Sequence, residues 1–280
     1  MAKLFEWLSR WPLSWLHRLG SALGWLAYAL SPTYRRRLDA HVEQAGVSPR
    51  AARSSVAAAG RMVAELPRLW LRGGQSVPLR RVGDELVEAA LAEGRGLVLL
   101  TPHLGCFEIT AQAYALQHGA RHPITVLYRP ARQAWLREIM RGSRDRPGMT
   151  AVPADLSGVR QMLRALKRGE TVGLLPDQVP PEGMGAWAPF FGRDAYTMTL
   201  AARLVQQSGA ALLLTWGERL PRGNGYVVHY ERCAELLPSD ASAQAESAAV
   251  INRAMERLIM RCPGQYLWGY HRYKPPRRSA

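Results

Sequence analysis

His103 and Glu108 are the pair in this 280-residue chain best suited to moving a proton. An imidazole accepts a proton near neutral pH, and a carboxylate bonded to its other nitrogen fixes the tautomer. Residues five apart on one continuous helix lie roughly 140° apart around the axis and do not face each other. His103 must therefore stand on a loop and Glu108 in the first turn of a helix, with Pro102 and Gly105 allowing the bend. On these residues alone the alternative is a satisfied histidine beside a surface glutamate. Cys106 lies between them, but its run reads as the apolar first turn of a helix rather than as the setting of a nucleophile.

The elements that must position this pair follow from apolar patterning. Leu97–Leu100 is a short, wholly apolar run closed by Thr101-Pro102, which reads as a strand buried on both faces. Cys106–Gln117 then reads as a helix. Further strands are expected at Ile124–Tyr128, Met149–Val152, Thr171–Leu175, Ala211–Trp216 and Tyr226–Tyr230, the last two as a hairpin around Asn224-Gly225. Helices are expected at Ser48–Leu71 (broken near Pro67), Gly83–Ala92, Gln133–Met140, Val159–Lys167, Leu200–Gln207 and Ala241–Arg261, with a long Gly/Pro-rich loop from Pro176 to Tyr196. Strand–helix alternation predicts an α/β fold with a mostly parallel central sheet flanked by helices. In such sheets ligands bind at the strands' carboxyl ends. Three more groups stand at those ends: Arg129 with Arg144 beyond it in a loop after Gly142, Asp177-Gln178, and Phe190-Phe191-Gly192 with Thr197 closing the long loop. The paired phenylalanines read as either plain core or an acyl-chain wall.

Residues 1–30 project as an amphipathic helix. Leu4, Leu8, Trp15, Leu19, Leu23 and Leu26 cluster on one side, and Lys3, Arg10, Ser14, His17 and Ser21 on the other. The expected division is a membrane-associating helix over 1–30 and one α/β domain over 31–280. The uncharged stretch from Leu19 to Leu30 is short of the roughly 20 residues that span a bilayer, so the helix is expected to lie in the membrane surface. A single tilted anchor with Arg35-Arg36-Arg37 on the cytoplasmic side is the alternative. With 37 Lys and Arg against 22 Asp and Glu, the net charge is +15, mostly arginine. Nucleic acid, an anionic membrane surface, an acidic protein and an anionic lipid all complement that charge. No nucleic-acid recognition motif supports the first. Three cysteines (Cys106, Cys233, Cys262) without metal-ligand spacing point to a reduced setting and no bound metal.

The ordered set His103-x4-Glu108, Tyr128-Arg129-Pro130, Arg168-Gly169-Glu170, Leu175-Pro176-Asp177-Gln178, Pro189-Phe190-Phe191-Gly192 and Pro263-Gly264-Gln265-Tyr266-Leu267-Trp268 resembles the late acyltransferases of lipid A biosynthesis. These belong to the lysophospholipid acyltransferase-like superfamily. Where that family usually has Asn or Gly before the histidine and Trp before the acid, this chain has Pro102 and Phe107. The resemblance implies a glycerol-3-phosphate/lysophospholipid acyltransferase-like fold at the cytoplasmic face of the inner membrane. It implies transfer of a fatty acyl group from acyl carrier protein to a hydroxyl of a lipid A precursor, without a cofactor. His103 is then the base and Glu108 its orienter. Arg129, Arg144, Asp177, Gln178, Phe190, Phe191, Gly192 and Thr197 bind substrates, with the phenylalanines along the acyl groove. Arg144 or backbone amides at the helix start after His103 would meet the oxyanion. Rival readings are an acyltransferase for another membrane lipid, with acyl-CoA as donor, and a basic membrane-surface binding protein without catalysis.

Overall fold

The central sheet exists because this chain repeats short apolar runs that only two covering layers can bury. The computed structural model describes residues 1–128, 133–144 and 146–277, without the side chains of Ala134, Arg141 and Arg144. Helices α1 (Ala2–Ser9), α2 (Leu13–Leu30), α3 (Pro32–Gln44), α4 (Pro49–Ala64) and α5 (Leu66–Arg72) come first. Then follow β1 (Leu79–Val82), α6 (Asp84–Ala92), β2 (Leu97–Leu100), α7 (Phe107–His118), β3 (Ile124–Tyr128), α8 (Ala134–Arg144), β4 (Met149–Pro153), α9 (Leu156–Lys167) and β5 (Thr171–Leu174). A hairpin of β6 (Gly185–Phe190) and β7 (Arg193–Met198) precedes α10 (Leu200–Ser208), β8 (Ala211–Arg219), β9 (Tyr226–Arg232) and α11 (Gln244–Arg261).

Among the described residues the main sheet has the order β1-β9-β8-β2-β5-β3-β4. Every neighbouring pair is parallel except β8 with β9, the hairpin expected around Asn224-Gly225. The sheet separates two cores. Leu97 and Leu99 face α7 with Ile109, Ala113 and Tyr114, while Val98 and Leu100 face Met162 and Leu166 of α9. All four residues of β2 are buried, as an uninterrupted apolar run requires.

Three elements were not anticipated. β1 reads Leu-Arg-Arg-Val, and its two arginines hide a strand that lies at the sheet edge beside β9. α3 buries only Leu38 and Val42, too little for a clear stripe. The stretch expected as a loop from Pro176 to Tyr196 contains most of the β6–β7 hairpin, whose Pro189 argues against a strand in sequence but faces outward here. Phe191 (φ 48°) and Gly192 (φ 75°) form its two-residue turn. Positive φ at both central positions matches strand twist.

The N-terminal helix is broken at Pro12 into α1 and α2. The side of α2 that docks on the domain combines two leucines with polar and small residues. Leu13, Leu16, His17, Gly20 and Gly24 are buried, and a Cβ on Gly20 would stand 2.7 Å from the Gly60 carbonyl oxygen of α4. Ser21 accepts a hydrogen bond from Arg61 Nε (2.7 Å). Leu4, Trp15, Leu23 and Leu26 are exposed, whereas Leu8 and Leu19, expected on the same outward face, are half-buried. Among the described residues no helix is long and apolar enough to cross a membrane.

Candidate active site

The loop from Thr101 to Cys106 is held so tightly that His103 has little freedom. Its main chain is stitched to the segment after α11. Gly105 N–H donates to Gln265 O (3.0 Å), Leu267 N–H to His103 O (3.1 Å), and Cys106 N–H to Gly217 O of β8 (2.7 Å). Gly105 adopts φ 58°, and a Cβ there would lie 2.0 Å from Gly217 O. Only glycine fits that approach. His103 accordingly stands on the loop and Glu108 in the first turn of α7, the arrangement their spacing demands.

The carboxylate on the imidazole, however, is Asp177. His103 Nδ1 lies 2.8 Å from Asp177 Oδ1, and His103 backbone N–H donates to Asp177 Oδ2 (2.8 Å). One carboxylate thus holds both the ring and the peptide that carries it. The cause is sheet order. β5 inserts between β2 and β3, with Leu100 opposite Leu174, so the loops leaving β2 and β5 emerge side by side. The expectation that Glu108 would orient the ring took the nearest acid in sequence instead of the nearest in the sheet.

With Nδ1 donating to Asp177, Nε2 carries the lone pair, and the Gln178 amide nitrogen lies 3.0 Å from it. Burial of Asp177 works against its charge, but the adjacent His103 outweighs this and keeps its carboxyl below the usual range. The imidazole leans on Phe107, with ring centroids 4.8 Å apart. Both line a cavity of about 310 Å³ that runs beside Leu127, Val159 and Leu174 to Val179 and Met198. The imidazole therefore sits at the wall of a largely apolar cavity. The backbone amides of His103 to Cys106 are all engaged, with Asp177, Pro102 O, Gln265 O and Gly217 O as acceptors. Amides this early in the loop are not available to an oxyanion. Burial raises the Cys106 thiol well above its ordinary pKa, which suits a core residue and not a nucleophile.

Several expected substrate residues lie elsewhere. Phe190 is core, in contact with Phe191 (4.8 Å between centroids) and beneath Arg272 (5.1 Å). Phe191 packs on Trp268 (5.4 Å) and Gly192 turns the hairpin. None of the three lines the cavity beside His103. The buried Thr197 hydroxyl is taken up by Asn252 and by Arg272 Nη2 (2.6 Å), a group that pins the hairpin to α11. Arg144 ends α8 instead of lying in a loop after it. Its side chain and all of Arg129 lie outside the described residues. The wall of the cavity was instead missed in sequence: Leu156, Val159, Met184 and Met198 come from three separated segments with no shared motif.

A second charged group is fully internal. Glu65, at the end of α4, receives Arg219 Nη2 (2.6 Å), Arg219 Nε (2.8 Å) and the Tyr226 hydroxyl (2.9 Å), with His17 Nε2 at 3.0 Å. Arg219 also donates to Gly105 O (3.0 Å). This group ties α2 and α4 to the loop that carries His103.

The chain matches the family described as bacterial lipid A biosynthesis acyltransferase over residues 3–275. It is similar to the lipid A biosynthesis lauroyltransferase of Escherichia coli (strain K12), 29% identical over 198 residues, covering 69% of this chain and 61% of that protein. It is 28% identical over 193 residues to the lipid A biosynthesis palmitoleoyltransferase of the same strain, covering 69% and 60%. It is 26% identical over 187 residues to a lipid A biosynthesis acyltransferase of Haemophilus influenzae (strain ATCC 51907 / DSM 11121 / KW20 / Rd), covering 67% and 56%. The chain thus spans no more than 61% of the length of these curated relatives. With a family match from residue 3 to residue 275, the chain belongs to the bacterial lipid A biosynthesis acyltransferases.

Proposed function

We propose that this protein transfers a fatty acyl group from the thioester of acyl carrier protein to a hydroxyl of a lipid A precursor at the cytoplasmic face of the inner membrane. The observation that carries this reading is the imidazole itself. Nδ1 is locked on Asp177, Nε2 lies 3.0 Å from the Gln178 amide, and the imidazole lines a largely apolar cavity of about 310 Å³. The incoming hydroxyl displaces the Gln178 amide, gives its proton to Nε2, and attacks the thioester carbonyl carbon. The C–S bond then breaks, and the departing thiolate takes the proton back from the imidazolium. Such base catalysis contributes about 10²–10⁴-fold in rate. Asp177 supports the imidazolium. Glu108 remains a candidate second carboxylate from the first turn of α7. For the oxyanion, the candidates are Arg144 and the first-turn amides of α7, where helix N–H groups lack intrahelical acceptors.

Membrane association is supported by the outward apolar side of α1 and α2. A docked helix normally turns its apolar stripe inward, yet Trp15, Leu23 and Leu26 are about half exposed, at 57%, 50% and 52%. Arg35 and Arg36 follow them at the surface. The excess of arginine suits an anionic leaflet, an acidic carrier protein and a phosphorylated glycolipid alike.

The test is transfer by purified protein from acyl carrier protein to a lipid A precursor, with mass spectrometry of the product. One added acyl group that disappears in His103→Ala is the expected result. Transfer from acyl-CoA alone, or to a phospholipid alone, overturns the proposed donor or acceptor. Unchanged transfer by His103→Ala overturns the mechanism.

A further inference from the structure

Behind Phe107 lies a second, smaller cavity, and we infer that it receives the far end of the acyl chain and sets which chain length is transferred. This rests on the acyl-transfer reading above. The two cavities abut, since Phe107, Leu127, Leu174 and Leu175 line both. The smaller has a volume of about 60 Å³, and a single water needs only about 10–15 Å³. It lies between α7 and the sheet. Leu99, Gly173 and Val126 stand side by side on β2, β5 and β3. Ile124 and Met149, also in its wall, start β3 and β4. They sit two residues nearer the strands' amino ends, roughly 6–7 Å deeper. The chamber therefore runs away from His103 down the α7 face of the sheet.

Gly173 is the reason there is room. Its φ is not in the left-handed region, so no backbone conformation calls for glycine in this central strand. A glycine inside a strand gives up packing and often marks close approach by another group. A methyl group at Gly173 would stand 3.1 Å from Val126 Cγ1 and 3.5 Å from Ile124 Cδ1, in the space over β5. Most of the wall is apolar. Thr101 and Thr110 direct their hydroxyls to the carbonyl oxygens of Pro102 (3.2 Å) and Phe107 (2.7 Å). Glu108 and the Thr215 hydroxyl, which has no protein partner, make up the polar remainder. They make a water-filled chamber the competing outcome.

The experiment is a competition in one mixture, with acyl carrier protein loaded with a graded series of saturated chains and a lipid A precursor as acceptor. The ratio of products is read by mass spectrometry, so it does not depend on enzyme amount or overall rate. One methylene in an apolar pocket discriminates by about 10–200-fold. Gly173→Ala is expected to lower transfer of the longest preferred chain by at least about 10-fold relative to the next shorter one. Ile124→Val, which removes one methyl from the floor and is mild enough to preserve folding, is expected to shift preference toward longer chains. If Gly173→Ala fails to fold, the Ile124→Val profile decides alone. Transfer with an unchanged profile in the folded variants overturns the inference and leaves a water chamber. No transfer by the unaltered protein from any donor in the series overturns the acyl-transfer reading itself, and the inference with it.

Discussion

Two acid–base groups lie within a few residues of each other in this fold, and they differ in one respect that matters. Glu65 and Arg219 are sealed, their side chains 1% and 2% exposed, and both carboxylate oxygens of Glu65 are hydrogen-bonded within the protein. His103 and Asp177 are 14% and 2% exposed, and the imidazole borders a cavity. Burial, charge and short hydrogen bonds are common to both groups. Access is what separates them. A saturated internal ion pair holds elements together, whereas a polarised base at the wall of a cavity has something left to do.

That contrast breaks if the two groups respond alike to substitution. The largest expected effect is His103→Ala, which lowers acyl transfer by about 10²–10⁴-fold, with a smaller loss of stability than Glu65→Ala because buried Asp177 loses the imidazole but keeps the backbone N–H of residue 103. A parallel fall in stability would place His103 with the structural group. Glu65→Ala should do the reverse, lowering unfolding free energy by about 3–5 kcal/mol because Arg219 is left charged and buried. Chemical denaturation measures it, and a loss under about 1 kcal/mol would contradict the sealed arrangement. Asp177→Asn should lower kcat by up to about 10⁴-fold with little change in KM, since it orients the base without being needed for binding. A change confined to KM would argue for substrate binding instead.

Acid pH sharpens the comparison further. Burial holds the pKa of His17 below its ordinary value near 6.5. For Glu65, burial opposes the charged form, but Arg219 overcomes it and brings the pKa to about 2. The folded state therefore binds fewer protons than the unfolded one at both positions, so stability is complete above the unfolded values and falls with pH. The decline begins as pH drops through about 6.5 for His17, continues below about 4.5 for Glu65, and adds the Asp177 contribution in the same acid range. Denaturant midpoints unchanged between neutral pH and about pH 3 would overturn this account. The smallest effect concerns the surface. Leu23→Ser with Leu26→Ser should weaken binding to anionic vesicles, by about 10-fold or more from the apolar area removed, without loss of stability. Point changes are better than deletion of residues 1–30, because His17 and Gly20 of α2 are part of the packed interior.

The sheet was legible because its central strands carry their burial in their composition. Leu97–Leu100 and Ile124–Tyr128 stand at the positions their apolar runs indicate. β1 and the β6–β7 hairpin were not legible, because an edge strand with arginines and a strand with proline both carry the marks of loops. The site was half legible. His103 and the strand-end Asp177 and Gln178 could be named from sequence, as could the rule that His103 stands off the helix that carries Glu108. The resemblance put Phe190, Phe191 and Thr197 at the substrate, yet the structure packs the phenylalanines against each other and Trp268 and buries the Thr197 hydroxyl on Asn252 and Arg272; an aromatic or a hydroxyl reads the same in either setting.

From sequence alone, then, came the alternation of strands and helices, the chemistry-bearing residues at strand ends, and the family resemblance. These depend on local pattern, which the chain carries residue by residue. Only tertiary structure decided which acid meets which base. Asp177 is 74 residues from His103 and adjacent to it because β5 slots in between β2 and β3. Glu65 is 154 residues from Arg219, and their meeting depends on the end of α4 docking beside the end of β8. Strand order and helix docking are set by the summed packing of both cores, and no short stretch of sequence contains that sum.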